Sequence, residues 1–236
     1  MVKKIVGTGV LLVLALALQA GVKMYTLKSP DGKVKLEVTA GQGIVYSLFY
    51  DGRLLLKPSR IALHTDLPEA DHWENIRITG TKQRHVSETV QAPFYRVKEF
   101  GIDCNELELR LNNGFSLLMR AYNDGMAYRF VAGRKGEMTV VEERAEFNFA
   151  DDFEAYIPYS TNPKDPWNMA FQNFYTKAPL TQYNTELPAF LPLTVDAGAV
   201  KLTGIRFGSL SGHVRLWRWK NAGFERGVCS LSSGNV

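Results

Sequence analysis

The clearest pattern along the chain is a period-two alternation of apolar and polar residues between positions 107 and 130. Leu107, Leu109 and Leu111 alternate with Glu108 and Arg110. Phe115, Leu117, Met119 and Ala121 alternate with Ser116, Leu118 and Arg120. Met126, Tyr128 and Phe130 alternate with Ala127 and Arg129. Such alternation sends successive side chains to opposite faces of a strand, so one set is buried and the other faces outward. Asn113-Gly114 and Asp124-Gly125 separate the runs. Primed hairpin turns need positive φ, which Gly and Asn tolerate, so both dipeptides mark tight turns. The stretch predicts three strands in a meander.

The same texture extends in both directions. Val34, Leu36 and Val38 alternate with Lys33, Lys35 and Glu37 after a Ser-Pro-Asp-Gly turn. Residues 44–50 read as an apolar strand, which Asp51-Gly52 turns into a strand over 53–57. Pro58, lacking an N–H, is expected to stop the pairing there. Residues 61–64 predict a short strand and 66–75 a polar loop. Residues 76–81 and 85–89 predict edge strands, and 94–101 leads into the meander. Further strands are expected at 139–141, 145–149, 191–195 and 200–203, the last two around Asp196-Ala197-Gly198. No amphipathic helix of ten or more residues follows the N-terminus. Strands about every ten residues with turn signals between them predict an all-β fold, a large antiparallel sandwich.

Residues 151–192 break this rhythm. Pro158, Pro163, Pro166 and Pro188 interrupt a segment rich in Trp, Phe and Tyr. A long aromatic loop on a sandwich is where function tends to sit. The same rings also suit the plainer task of covering a sheet edge.

Composition alters the picture mainly at the two ends. Residues 1–21 carry Lys3 and Lys4, a short apolar run, and then Ala20 and Gly21, the layout of a secretory signal. The run falls short of the roughly 20 apolar residues that a membrane span needs. Export to the periplasm is expected, with no membrane attachment after cleavage. The formal net charge of +4 resides in residues 204–236, which hold Arg206, Arg215, Arg218, Lys220 and Arg226 against Glu225 alone. Residues 1–203 as a whole are neutral, which argues against nucleic-acid binding. Residues 204–236 also lose the alternation and end in Ser and Gly, so they read as a disordered or frame-shifted tail. Two cysteines, Cys104 and Cys229, are too few for a disulfide framework. Cys104, beside a predicted strand, is expected to be a small buried hydrophobe. No Cys/His spacing resembles a zinc site.

Several stretches, taken in order from 29 to 203, resemble the N-terminal domain of glycoside hydrolase family 97. They are SPDGKVKLEV, IVYSLFYDGRLLL, SETVQAPFYRVKEF, NELELRLNNGFSLLMRAYNDGMAYRF, AYIPYSTNPKDPW, AFQNFYTKAPL and LPAFLPLTVDAGAVKLT. The RAYNDGMAYRF run is the most specific. The resemblance implies a β-super-sandwich similar to galactose mutarotase, spanning residues 22–203. It implies α-glucosidase or α-galactosidase chemistry in a polysaccharide-utilisation setting, with an α-linked oligosaccharide as ligand. In the family this domain packs on a catalytic (β/α)8 barrel that carries the catalytic carboxylates and a calcium ion. A barrel takes roughly 250 residues, so the catalytic pair is expected to be missing from this chain. No cofactor is expected in the chain itself.

Two departures from the family pattern follow. The family continues past the strand at 200–203 into a segment whose glutamate ligates calcium. Here Gly204, Ile205, Arg206 and Phe207 stand instead, and a hard cation needs oxygen ligands. Gln172 replaces a common glutamate, which keeps the hydrogen bonding and loses the charge. The residues expected to meet substrate or the barrel are Trp167, Phe171, Gln172, Asn173 and Tyr175. His72 and Trp73, with Asp71 and Glu74, suit a sugar-binding loop or a merely solvated one. No nucleophile elbow, phosphate loop or catalytic residue is identified. Three functions remain open: a non-catalytic domain of a family 97 enzyme, a free-standing carbohydrate-binding module, or a gene fragment without function.

Overall fold

A computed structural model describes residues 23–91, 96, 98–133, 137–162, 164, 173–198 and 200–204, and the backbone of 218–220 and 223–225. In chain order the strands are β1 (Met24–Lys28), β2 (Val34–Gly41), β3 (Gly43–Tyr50), β4 (Arg53–Thr65), β5 (Ile78–Gln91), β6 (Glu99–Leu111), β7 (Phe115–Tyr122) and β8 (Gly125–Ala132). They continue as β9 (Val140–Ala145), β10 (Glu154–Ile157), β11 (Thr176–Pro179), β12 (Leu193–Asp196), β13 (Lys201–Gly204), β14 (Arg218–Lys220) and β15 (Gly223–Glu225). One 3-10 turn, Leu180–Gln182, is the only helical element among the described residues. The sheets run β1-β2-β3-β4-β9, β5-β6-β7-β8 and β11-β10-β12-β13, with β14 and β15 as a separate pair. Every pairing is antiparallel, as an all-β sandwich requires.

The predicted meander is β6-β7-β8. Leu107, Leu109, Leu111, Phe115, Leu117, Met119 and Ala121 are all buried on its inner face. β1 and β2 lie over β6 and β7, and their Leu27, Leu36 and Val38 fill the space between. Ala155, Ile157, Leu193 and Val195 of the third sheet join the same core. Arg53 fastens this sheet to the first, its Nη1 donating to the Ala197 carbonyl at 2.7 Å.

The turns follow their local chemistry with one exception. Asp51 and Gly52, at φ 48° and 77°, join Tyr50 to its partner Arg53 in a type I′ turn. Gly114, at φ 83°, closes the three-residue loop between β6 and β7. Asp124-Gly125 departs from expectation, since neither residue has positive φ. Its loop is Asn123-Asp124, and Gly125 already pairs with Tyr122. The Asn123 side chain instead accepts from the Asp31 amide at 3.0 Å, anchoring the turn to the β1–β2 turn.

Two strand boundaries also differ. Pro58 does not end its strand, because β4 skips past it through a register irregularity in the β3 pairing. Asn148 covers the gap: its carbonyl accepts from Lys57 N at 2.7 Å, and its Nδ2 donates to the Pro58 carbonyl at 2.8 Å. The two edge strands expected over 76–89 are one continuous strand, β5. The tail expected at 204–236 falls outside the described residues, apart from the backbone of Gly204, β14 and β15, and so does the segment 1–21.

Candidate functional site

The third sheet presents the most varied outer face. β10 turns Ala155 and Ile157 into the core and Glu154 and Tyr156 outward. The register sets Tyr156 between Lys177 of β11 and Thr194 of β12. Around this half-buried ring, Lys177 Nζ meets Glu154 Oε2 at 2.7 Å, and the Thr194 and Thr203 hydroxyls meet at 3.0 Å. Lys201 pairs with Asp196 at 2.5 Å. The hydrogen bond from Lys201 holds the Asp196 carboxyl below its ordinary range, and the one to Glu154 holds Lys177 up. All four charged groups are solvent-accessible, so the pairs are weak and open to exchange with a partner. An aromatic ring set among hydroxyls and paired charges suits either a sugar ring or a polar protein surface.

At the start of β11 the chain carries Asn173, Phe174 and Tyr175. Phe174 is 93% exposed and Tyr175 is 46% exposed. Asn173 is exposed and its Oδ1 accepts from the Phe174 amide at 2.9 Å, a contact within its own turn. Of the five residues expected at the site, the structure thus places Asn173 and Tyr175 together beside β11. Trp167, Phe171 and Gln172 lie outside the described residues.

The loop at 66–75 is neither a sugar-binding nor a solvated loop around its tryptophan. Trp73 is buried, donating Nε1–H to the Leu63 carbonyl at 3.0 Å and packing on Phe115 and Phe130. His64 Nδ1 holds Asp71 Oδ1 at 2.7 Å beside the same ring. His72 and Glu74 remain exposed. A shallow depression of about 350 Å³ borders this loop, lined by Glu69, Ala70, Asn113, Gly114 and Phe115 among others. Asn113 already serves the Ala70 carbonyl and the Phe115 amide, so its polar atoms maintain the loop.

A buried carboxylate that the sequence pattern did not mark lies on the outer face of the second sheet. Glu106 accepts from Arg84 and from Arg120, each at 2.7 Å, one on either of its oxygens. Burial pushes its carboxyl up, but the two guanidinium groups outweigh this and hold it below its ordinary value. Such a group is neither protonated at neutral pH nor free to reach a substrate, so it serves the fold. Only the cross-strand register Arg84–Glu106–Arg120 reveals it.

The family resemblance brings in a calcium ion, and among the described residues no three His, Cys, Asp or Glu form a group that could hold a metal. Asp196, the acid nearest in sequence to the end of β13, is engaged by Lys201. The segment after Gly204 lies outside the described residues, and its first three residues in sequence, Ile205, Arg206 and Phe207, carry no side-chain oxygen.

Comparison with known proteins adds the frame. The chain is 40% identical over 189 residues to a retaining alpha-galactosidase of Bacteroides thetaiotaomicron, covering 78% of this chain and 28% of that protein. It is 26% identical over 158 residues to a probable retaining alpha-galactosidase of Streptomyces bingchenggensis, covering 65% and 24%. A glycoside hydrolase family 97 enzyme from Pseudoalteromonas sp. strain K8, solved in complex with acarbose, superposes with a TM-score of 0.70 at 16% identity. That match covers 86% of this chain and 32% of the solved one, and it establishes the shared fold. The chain therefore spans about a quarter to a third of the length of these relatives. The model of the glycosyl-hydrolase 97 N-terminal domain matches residues 27–205, and with the all-β sandwich it establishes that this chain belongs to that family.

Proposed function

We propose that this chain acts as the non-catalytic sandwich of an exported family 97 glycoside hydrolase of the alpha-galactosidase type. It docks through the outer face of the β11-β10-β12-β13 sheet onto a catalytic domain corresponding to the remaining length of its relatives. The observation that carries this reading is Phe174. A phenylalanine 93% exposed beside an edge strand is poorly placed for a lone domain and well placed for an interface. The match to the family ends at residue 205, one residue past β13, so the chain would leave the domain on this same sheet. Glu154, Lys177, Asp196 and Lys201 supply a charged rim around Tyr156, the usual surround of an apolar anchor. In this reading Trp167, Phe171, Gln172, Asn173 and Tyr175 belong to that interface, and residues 1–21 direct export.

A second reading rests on Tyr156. A ring flanked by Thr194, Lys177 and Glu154 also resembles a stacking platform for an α-linked sugar, as a free-standing binding module would use.

One experiment separates the two. The alpha-galactosidase of Bacteroides thetaiotaomicron is expressed without its own N-terminal third, and this chain is supplied in trans. Restored hydrolysis of an aryl α-galactoside, weakened at least tenfold by Phe174→Ala, supports docking. Binding of the chain alone to α-galactosides, with no effect on the truncated enzyme and a loss on Tyr156→Ala, overturns docking in favour of the module.

A further inference from the structure

β5 is an anomaly in a sandwich. It has fourteen residues and forms one edge of the second sheet, yet Val86 is its one buried residue. It pairs with β6 from Ile78 to Gln91, while β7 pairs with β6 only up to Cys104. The segments 87–91 and 99–103 thus project beyond β7 as a two-stranded ribbon. Among the described residues, no backbone group pairs with the outer edge of β5. A long open edge is a template for another strand, and proteins guard such edges with proline, bulges or charge. β5 has no proline, and its one register irregularity is at its start, between Ile78 and Gly80.

Its charges do not guard the edge either. Arg84 is bound to Glu106 at 2.7 Å and His85 to Asp103 at 3.0 Å. The two left are Lys82 and Glu88, which have no ion-pair partner among the described residues, and Glu88 exerts only a minor pull on Arg84. They have opposite sign and lie three residues to either side of His85. We infer that β5 pairs edge to edge with β5 of a second copy of this chain, antiparallel and centred on His85.

A two-fold axis perpendicular to the sheet keeps each face on its own side, so even-numbered positions meet even-numbered ones. Centring on His85 sets Lys82 opposite Glu88 of the second copy, twice over by symmetry. Thr81 then meets Thr89, Gln83 meets Ser87, Arg84 meets Val86, and His85 meets itself with each copy's Asp103 beside it, so no acid faces acid. Opposite charges and Thr pairs are the favourable cross-strand combinations. Centring on Arg84 opposes it to itself, and centring on Gln83 sets Lys82 against Arg84. Centring on Val86 sets Glu88 against Arg84, which is already bound to Glu106, and leaves Lys82 facing Val90. The result is one continuous eight-stranded sheet, and none of its contacts involves the third-sheet surface proposed above.

Sedimentation equilibrium on the full chain tests this. A concentration-dependent dimer is expected. Lys82→Glu sets acid against Glu88 at both ends and should raise the dimer dissociation constant about tenfold, roughly 1.4 kcal/mol. Lys82→Glu combined with Glu88→Lys restores both pairs with reversed sign and should recover the dimer. Both positions are exposed, so neither change should unfold the chain, which circular dichroism verifies. A monomer at all concentrations, a dimer indifferent to Lys82→Glu, or a double variant as weak as the single one would each overturn the pairing.

Discussion

At the scale of single residues, one side chain that the fold depends on lies where alternation assigns it to solvent. Glu106 occupies an outward position on β6, yet its side chain is only 5% exposed, because Arg84 and Arg120 lie across it from both neighbouring strands. Removing one member of such a set leaves the others short of a partner, which is costlier than the pair is stabilising. Glu106→Gln should therefore cost about 2 kcal/mol at neutral pH, discounted because both arginines reach water. The pH dependence has a definite sign. The folded-state pKa lies below the ordinary 4.5, so the carboxylate stabilises the fold above that value and loses its contribution as pH falls through the folded-state value. Urea titrations from neutral pH down to acid should show the gap between the natural chain and Glu106→Gln narrowing below about pH 4.5. A gap that stays constant would mean that the ionised carboxylate is not what stabilises.

At the scale of elements, turn chemistry and strand pattern differ in how much they disclose. Asp51-Gly52 and Asp124-Gly125 are identical dipeptides, and only the first adopts positive φ. The reason is tertiary: Asn123 reaches across to the Asp31 amide and fixes the second turn in another form. Gly52→Ala should therefore lose about 1 kcal/mol from the left-handed backbone alone, since no atom lies within 4 Å of the added methyl. Gly125→Ala, equally unobstructed but without positive φ, should be neutral or slightly stabilising. Chemical denaturation of the two variants distinguishes these outcomes, and equal losses would refute the difference in turn type. The inward set of β6 and β7 was legible because alternation responds to one face of one strand. Trp73 was not, since burial of a loop residue depends on Phe115 and Phe130, some 40 and 60 residues further along. Glu106 required register across three strands. The exposure of Phe174 was legible only as a guess about an aromatic-rich loop, because nothing local separates a ring that covers an edge from one awaiting a partner.

At the scale of the whole molecule, the question is whether the third sheet is a separate unit or part of one cooperative domain. The core argues for one domain. Ile157 on β10 and Leu117 on β7 are both fully buried in a single contiguous cluster. Arg53 bonds the first sheet to the Ala197 carbonyl of the third, and its guanidinium lies over the Phe153 ring at 5.5 Å. Truncating Ile157 to Ala leaves a cavity that well-packed neighbours fill only partly, a loss of about 2–5 kcal/mol. If the sheets share one core, that loss must appear everywhere that exchanges by global unfolding. Native-state hydrogen exchange should then show amides of β7 losing the same protection as amides of β12 in Ile157→Ala. Loss confined to β10–β13 would mean that the third sheet opens by itself and is held in place chiefly by whatever docks on its outer face. Equal loss would mean that the docking surface exists before any partner arrives, with Phe174 displayed by a sheet that the rest of the domain already holds rigid.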